Sequence, residues 1–164
     1  QKDMGGRLGD MGAEGIETFA AKLYHGLMQQ IRSVPVELRV EDWIRETFPE
    51  FELVQRAAVL RQLEENTRGL SASTRSMSPA RVFKASITMN AAAAQFWAGA
   101  YLMPELVKPY SHAGFASDGA QLLATWRKAM GQDAPDREVI GSGAGLLKIR
   151  GWYDWVPYDA PARP

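Results

Sequence analysis

Few side chains of this sequence could carry out chemistry. The chain contains no Cys and only two His, His25 and His112, which excludes disulfides, thiolate zinc sites, Cys nucleophiles and multi-histidine metal sites within one chain. His112 could act as a base towards Ser111 or Ser117, but a catalytic triad also needs a group that orients the base. A hydrolytic enzyme using His112 is therefore only a remote alternative.

Two further motifs give no catalytic signal. The acidic pairs Glu41-Asp42 and Glu64-Glu65 are adjacent in sequence, and adjacent side chains on a helix diverge by about 100°, so neither pair can converge on one substrate. The run GSGAG at 141–145 matches neither the Rossmann pattern nor the P-loop, and we interpret it as a hinge. We therefore predict a non-enzymatic protein with no catalytic residue, no cofactor and no metal ion.

The clearest candidate binding site is residues 66–84, NTRGLSASTRSMSPARVFK, which we call the basic stretch because it holds no acid. Ser78-Pro79 is a helix-start signal, and a helix N-terminus presents free N–H groups and a partial positive charge that favour anions. The anion could be an RNA or DNA backbone, which such groups contact without sequence specificity, or carboxylates of this chain or a neighbour. The residues predicted to bind it are Arg68, Arg75, Ser78, Arg81 and Lys84.

Charge is unevenly distributed along a chain whose formal net charge is zero. Residues 1–65 carry 8 Lys and Arg against 12 Asp and Glu, whereas residues 66–104 carry 4 Lys and Arg and no acid. Residues 105–164 carry 7 of each sign. An acidic first half and a basic stretch could pair copies of the chain head to tail, or they could hold the helices of one domain together.

The spacing of apolar residues predicts an all-α fold of four to five helices in a helical domain over residues 13–131. Since proline disfavours helix at the residue before it, Val34-Pro35-Val36 is expected to end the first helix. The other predicted helices end at Pro or Gly residues that lie between the segments with helical apolar spacing. The predicted helices span about 13–32, 40–47, 50–68, 78–103 and 117–130.

The segment 85–103 raises the question of a membrane span, because it holds no charged residue over nineteen positions and approaches the length needed to cross a bilayer. However, Asn90 and Gln95 lie in its middle, and its four consecutive Ala residues add little hydrophobicity. We therefore predict that 78–103 is a buried, central, Ala-rich helix around which the others pack.

Both ends are predicted to extend from the helical domain. Residues 1–12 contain four Gly and no apolar period, which indicates an extended arm. Residues 132–164 are predicted to form a C-terminal extension, with one short strand as an option, and their aromatic density is typical of interfaces. The extension could fold back on its own domain, dock on another subunit or stack on single-stranded nucleic acid. The predicted partner-binding residues are Trp152, Tyr153, Trp155 and Tyr158.

These features lead to one leading hypothesis and one main alternative. The leading hypothesis is a structural subunit of a virus or phage particle, a filament or another multi-subunit machine, whose arm and tail dock on other protein subunits in a homo- or hetero-oligomer. The alternative is a small helical subunit of a nucleoprotein complex, in which residues 68–84 hold RNA or DNA backbone. An intracellular or virion-associated location is favoured, and no membrane partner is expected.

Overall fold

A computed structural model describes residues 12–156 of the chain and confirms the all-α class. Within that range there are seven α-helices and no strand. The number exceeds the predicted four to five, because residues expected to be irregular around 72, 108 and 136 also form helices. The helices are α1 (Ala13–Thr47), α2 (Glu52–Thr67), α3 (Ala72–Met77), α4 (Ala80–Ala100), α5 (Lys108–His112), α6 (Ala116–Met130) and α7 (Asp136–Leu146).

Helix α1 is continuous through Pro35, so the prediction that this residue ends the first helix is wrong. A proline inside a helix removes one backbone hydrogen bond and crowds the preceding turn. Here Pro35 is buried on the same face as Ile31 and Leu38, and we infer that this packing offsets the lost bond. The separate helix predicted at 40–47 is the last part of α1, which ends where the N–H of Phe48 donates to the carbonyl of Ile44 at 2.8 Å.

Helix α2 follows a 3-10 turn at Pro49–Phe51 and runs antiparallel to α4. Near its start, the Arg56 guanidinium lies 5.4 Å from the centre of the Tyr101 ring, just beyond the C-terminal end of α4. Just beyond its other end, a Cβ on Gly69 would lie 3.2 Å from Cδ1 of Ile87, in the first half of α4. The turn between α1 and α2 therefore lies towards the C-terminal end of α4.

Helix α4 is the most buried helix of the described chain, and its small residues allow other helices to approach closely. A Cβ on Gly119 of α6 would come within 2.7 Å of Cβ of Ala91, so α6 can lie against α4 only with glycine at that position. The side chains of α4 that are buried are Phe83, Ala85, Ile87, Thr88, Met89, Asn90, Ala91, Ala92, Ala94, Phe96, Trp97 and Ala98.

Helix α7 contains the run GSGAG, so the prediction of a hinge at 141–145 is wrong. Gly143 lies against the indole of Trp126, where an added Cβ would come within 2.3 Å of Nε1. This glycine therefore permits close helix packing rather than bending. Val139, Ile140 and Ala144 of the same helix belong to the buried core.

No helix between residues 12 and 156 is long and apolar enough to cross a membrane.

Candidate functional site

The basic stretch is largely helical and contains more structure than a plain interhelical loop. A 3-10 turn at Arg68–Leu70 leads into α3, where the Ser71 hydroxyl caps the helix by accepting from the N–H of Thr74 at 3.2 Å. Ser78 was expected to cap α4, but it has extended backbone angles and lies at the C-terminal end of α3. Helix α4 begins after Pro79 without a side-chain cap.

The structure separates the cations of the basic stretch and gives them different neighbours. The Arg75 guanidinium lies 5.8 Å from the centre of the Phe83 ring, and that of Arg81 lies 6.0 Å from the Trp152 ring, distances at which cation–π attraction is favourable. Lys84 forms an ion pair with Asp118 of α6 at 2.9 Å. Arg68 is exposed.

Between residues 12 and 156, no ion pair joins the basic stretch to a carboxylate of the acidic first half. In particular, Arg68, Arg75 and Arg81 have no carboxylate oxygen within 4.0 Å in that part of the chain. All three are exposed. Positive charge is thus available at this end of the molecule for an anion that the described chain does not supply.

A second charged surface surrounds the turn between α1 and α2, and we call residues 40–54 the acidic tip. It contains five acidic residues and one basic residue, Arg45. Arg45 is already engaged, because it lies 2.8 Å from Asp42 and 3.5 Å from Glu46, and the hydrogen bonds that it donates to Asp42 raise its pKa. Of the other three acids of the tip, Glu41 accepts a hydrogen bond from Gln55, and Glu50 and Glu52 are exposed.

The acidic tip also exposes large apolar side chains. Leu53 is 82% exposed and Val54 73%, although both residues occupy a helix whose apolar positions would be expected to face the core. Trp43 packs edge-on against Phe48 at 5.4 Å between ring centres and is still 57% exposed. Contiguous apolar surface of this kind marks interaction sites on soluble proteins.

The sequence pattern did not predict the tip as a site. Trp43, Phe51 and Val54 were assigned to apolar helix positions, and the neighbouring acids to solvated surface. A signal was present, since three aromatic residues and five acids fall within residues 40–54. Helical spacing alone cannot show which apolar residues are packed against another helix and which are exposed.

An open groove of about 1090 Å³ lies between α1, α2 and α4. Its wall includes an amide network, in which Nε2 of Gln30 donates to Oδ1 of Asn90 at 2.7 Å and to the carbonyl of Ser86 at 3.2 Å. Nε2 of Gln55 donates to both the carbonyl and a carboxylate oxygen of Glu41, each at 2.7 Å. These bonds join α1 to α4 and to α2 beside the apolar core.

The predicted partner-binding aromatic residues differ in how far they are buried in their own chain. Trp152 and Tyr153 pack against the core of their own chain. The carbonyl of Trp152 accepts from the hydroxyl of Tyr24, and burial raises the pKa of Tyr153. Trp155 is 50% exposed and meets Tyr153 edge-on. Tyr158 lies outside the described residues, as does almost all of the predicted arm at 1–12.

The residues considered for catalysis are not assembled into a catalytic group in the described chain. His25 and His112 are both exposed, and the Ser111 hydroxyl donates to the carbonyl of Val107 at 3.2 Å. Residues 12–156 contain no group of three His, Asp or Glu residues that could hold a metal ion. The absence of an enzymatic function stays a prediction.

No protein-family model matches this chain, and neither the curated proteins nor the solved structures contain a match to it.

Proposed function

We propose that this chain is a non-enzymatic structural subunit of a larger protein assembly, such as a virus or phage particle, a filament or another multi-subunit machine. The observation that carries the proposal is the acidic tip, where Leu53, Val54 and Trp43 are more than half exposed. Exposing such side chains in water is unfavourable, and a partner surface would remove that cost.

The rest of the fold fits this role. In the proposal, the Ala-rich helix α4 is the central scaffold, and its tight contacts with α6 hold the chain rigid while the other side meets neighbouring subunits. The N-terminal arm at 1–12 and the exposed aromatic residues of the C-terminal extension supply further contacts. Several small contacts from one chain give an assembly avidity that no single contact provides.

The proposal is tested on the chain isolated gently from its native source. Size-exclusion chromatography with light scattering should give a mass well above that of the 18.1 kDa monomer, and cross-linking followed by mass spectrometry should place other subunits at residues 40–54. A native chain that runs as a free monomer with no cross-linked partner would contradict the proposal.

A nucleoprotein subunit is the second candidate, and one observation favours it. Arg68, Arg75 and Arg81 are exposed, and within residues 12–156 none of them has a carboxylate partner, so they could contact RNA or DNA backbone. In that case, affinity for single-stranded oligonucleotides should fall steeply as salt is raised. An affinity unchanged by Arg75→Ala with Arg81→Ala would exclude this use of the basic stretch.

A further inference from the structure

We propose that the acidic tip of one copy of this chain docks on the basic stretch of a second copy, so that copies associate head to tail. The inference rests on the proposed assembly function and specifies the partner and the two surfaces. It depends on charge complementarity, exposed apolar surface and the positions of both surfaces in the fold.

The charges of the two surfaces are opposite, and in the described chain Glu50 and Glu52 of the tip and three arginines of the basic stretch have no ion-pair partner. The acidic tip contains five acids and one arginine, and the arginine is engaged by tip carboxylates. The basic stretch contains four cations and no acid, and in the described chain only Lys84 is paired with a carboxylate. Docking one surface on the other would pair Glu50 and Glu52 with arginines that have no carboxylate partner between residues 12 and 156 of their own chain.

Each surface also presents apolar area, so the contact would not depend on charge alone. The tip exposes Leu53, Val54 and Trp43, whereas the basic stretch exposes Met77, which is 40% accessible. The flat guanidinium groups of Arg75 and Arg81 lie over aromatic rings and can cover an apolar neighbour while binding its carboxylates. An apolar centre with charged groups at its edge is the usual anatomy of a protein interface.

The positions of the two surfaces prevent a chain from joining them to each other. The tip precedes α2 and the basic stretch follows it, and a helix of 16 residues is about 24 Å long. Because α2 runs antiparallel to α4, the tip lies towards the C-terminal end of α4 and the basic stretch surrounds its N-terminal end. The dipole of α4 adds the same polarity, negative towards the tip and positive towards the basic stretch.

Contact between different surfaces of identical chains is heterologous, and it produces a closed ring or an open filament. Each surface is small, since the tip has 15 residues whereas a standard interface uses about 20–30 residues per side. We therefore expect a weak contact between two copies that becomes stable when many copies are joined. We also expect it to weaken at high salt, because the charges lie at the surface.

Reversal of the charges tests the proposal in the full chain. Glu50→Lys with Glu52→Lys should weaken self-association on the order of tenfold or more, and Arg75→Glu with Arg81→Glu should do the same. A mixture of these two variants, or one chain that carries all four changes, should associate again. Sedimentation velocity over a range of concentrations at low salt measures each case.

Control variants change charges at exposed positions outside both surfaces. Glu138→Lys, and Lys128→Glu with Arg137→Glu, should leave association at the wild-type level. If the Arg75 and Arg81 variant does not fold by circular dichroism, Arg68→Glu serves as the second reversal, because Arg68 is exposed and contacts no aromatic ring in the described chain.

The outcomes separate this inference from the proposed function. A wild-type chain that stays monomeric at every concentration overturns the head-to-tail contact, while a native assembly with other subunits would keep the proposed function. If both charge-reversal variants self-associate as strongly as the wild type, the acidic tip and the basic stretch do not form the contact, although the proposed assembly function would still hold. In a third outcome, the wild type binds an oligonucleotide but does not self-associate, and Arg75→Glu with Arg81→Glu abolishes that binding. The basic stretch would then bind nucleic acid, and the head-to-tail contact would be excluded. Restored association of the four-change chain supports the proposal.

Discussion

Large apolar side chains are buried where α6 packs against α4 and α7 but are partly exposed around the groove and turn between α1 and α2. On the first side, Trp126 is 0% exposed, and Gly119 and Gly143 lie where an added Cβ would clash with the neighbouring helix. On the second side, a groove separates the helices and Trp43 is 57% exposed. The first side buries its large apolar side chains within the described chain, whereas the second leaves several of them exposed. The contrast separates the residues that maintain the fold from those available to a partner.

The largest effect should come from truncating the same residue type on the two sides. Trp126→Ala should lower the free energy of unfolding by about 3–5 kcal/mol, because it removes a fully buried ring and leaves a cavity. Trp43→Ala should change it by about 0.5 kcal/mol or less, as for other surface positions. Chemical denaturation measures both. Equal losses in the two variants would show that the α1–α2 side is as much a part of the core as the α6–α7 side.

A smaller effect is expected from adding one methyl group within α7. Gly143→Ala should destabilise the protein by about 1–3 kcal/mol, because the new Cβ would overlap the indole of Trp126. Gly141→Ala is the matched control, since nothing lies within 4 Å of its Cβ position, and it should stabilise the helix by about 0.5–1 kcal/mol. Thermal unfolding of the two variants should show shifts of opposite sign. Shifts of the same sign would mean that Gly143 is a flexible position after all.

The smallest effect concerns the buried hydroxyl of Tyr110. Burial raises the pKa of Tyr110 from its ordinary 10.0 to about 12, so the unfolded chain ionises first as the pH rises. The stability linked to this group is therefore complete below pH 10 and is lost as the pH rises towards 12. Denaturation near these two limits should show a smaller alkaline loss in Tyr110→Phe than in the wild type.

The elements that the sequence predicted best are those with a regular apolar period. Helices α2, α4 and α6 begin and end within about three residues of the predicted bounds, which is the usual uncertainty of pattern-based boundaries. The break at Pro35 and the hinge at 141–145 were wrong for one shared reason. Proline restricts the backbone and glycine frees it, but these local preferences are weaker than tertiary packing. Pro35 packs into the core, and Gly143 packs against Trp126.

The candidate surfaces were predictable only in part. The composition of the basic stretch identified its cations, yet two of their neighbours, Trp152 and Asp118, come from the C-terminal segment and from α6. Contacts between distant segments leave no mark on local spacing. The acidic tip was missed because exposure depends on which helices pack beside α2, and a periodic pattern cannot reveal which face of a helix stays exposed in the described chain.

Disulfide trapping tests the head-to-tail contact most directly, since the chain has no Cys of its own. Leu53→Cys places a thiol on the exposed tip, and Met77→Cys places one on the exposed part of the basic stretch. Under mild oxidation, a chain with both changes should give a ladder of oligomers on a non-reducing gel, and a mixture of the two single variants should give mixed dimers and nothing larger. The head-to-tail contact would be contradicted if cross-linking did not exceed that of a control for random collisions. It would also be contradicted if the only cross-links joined one tip to another tip.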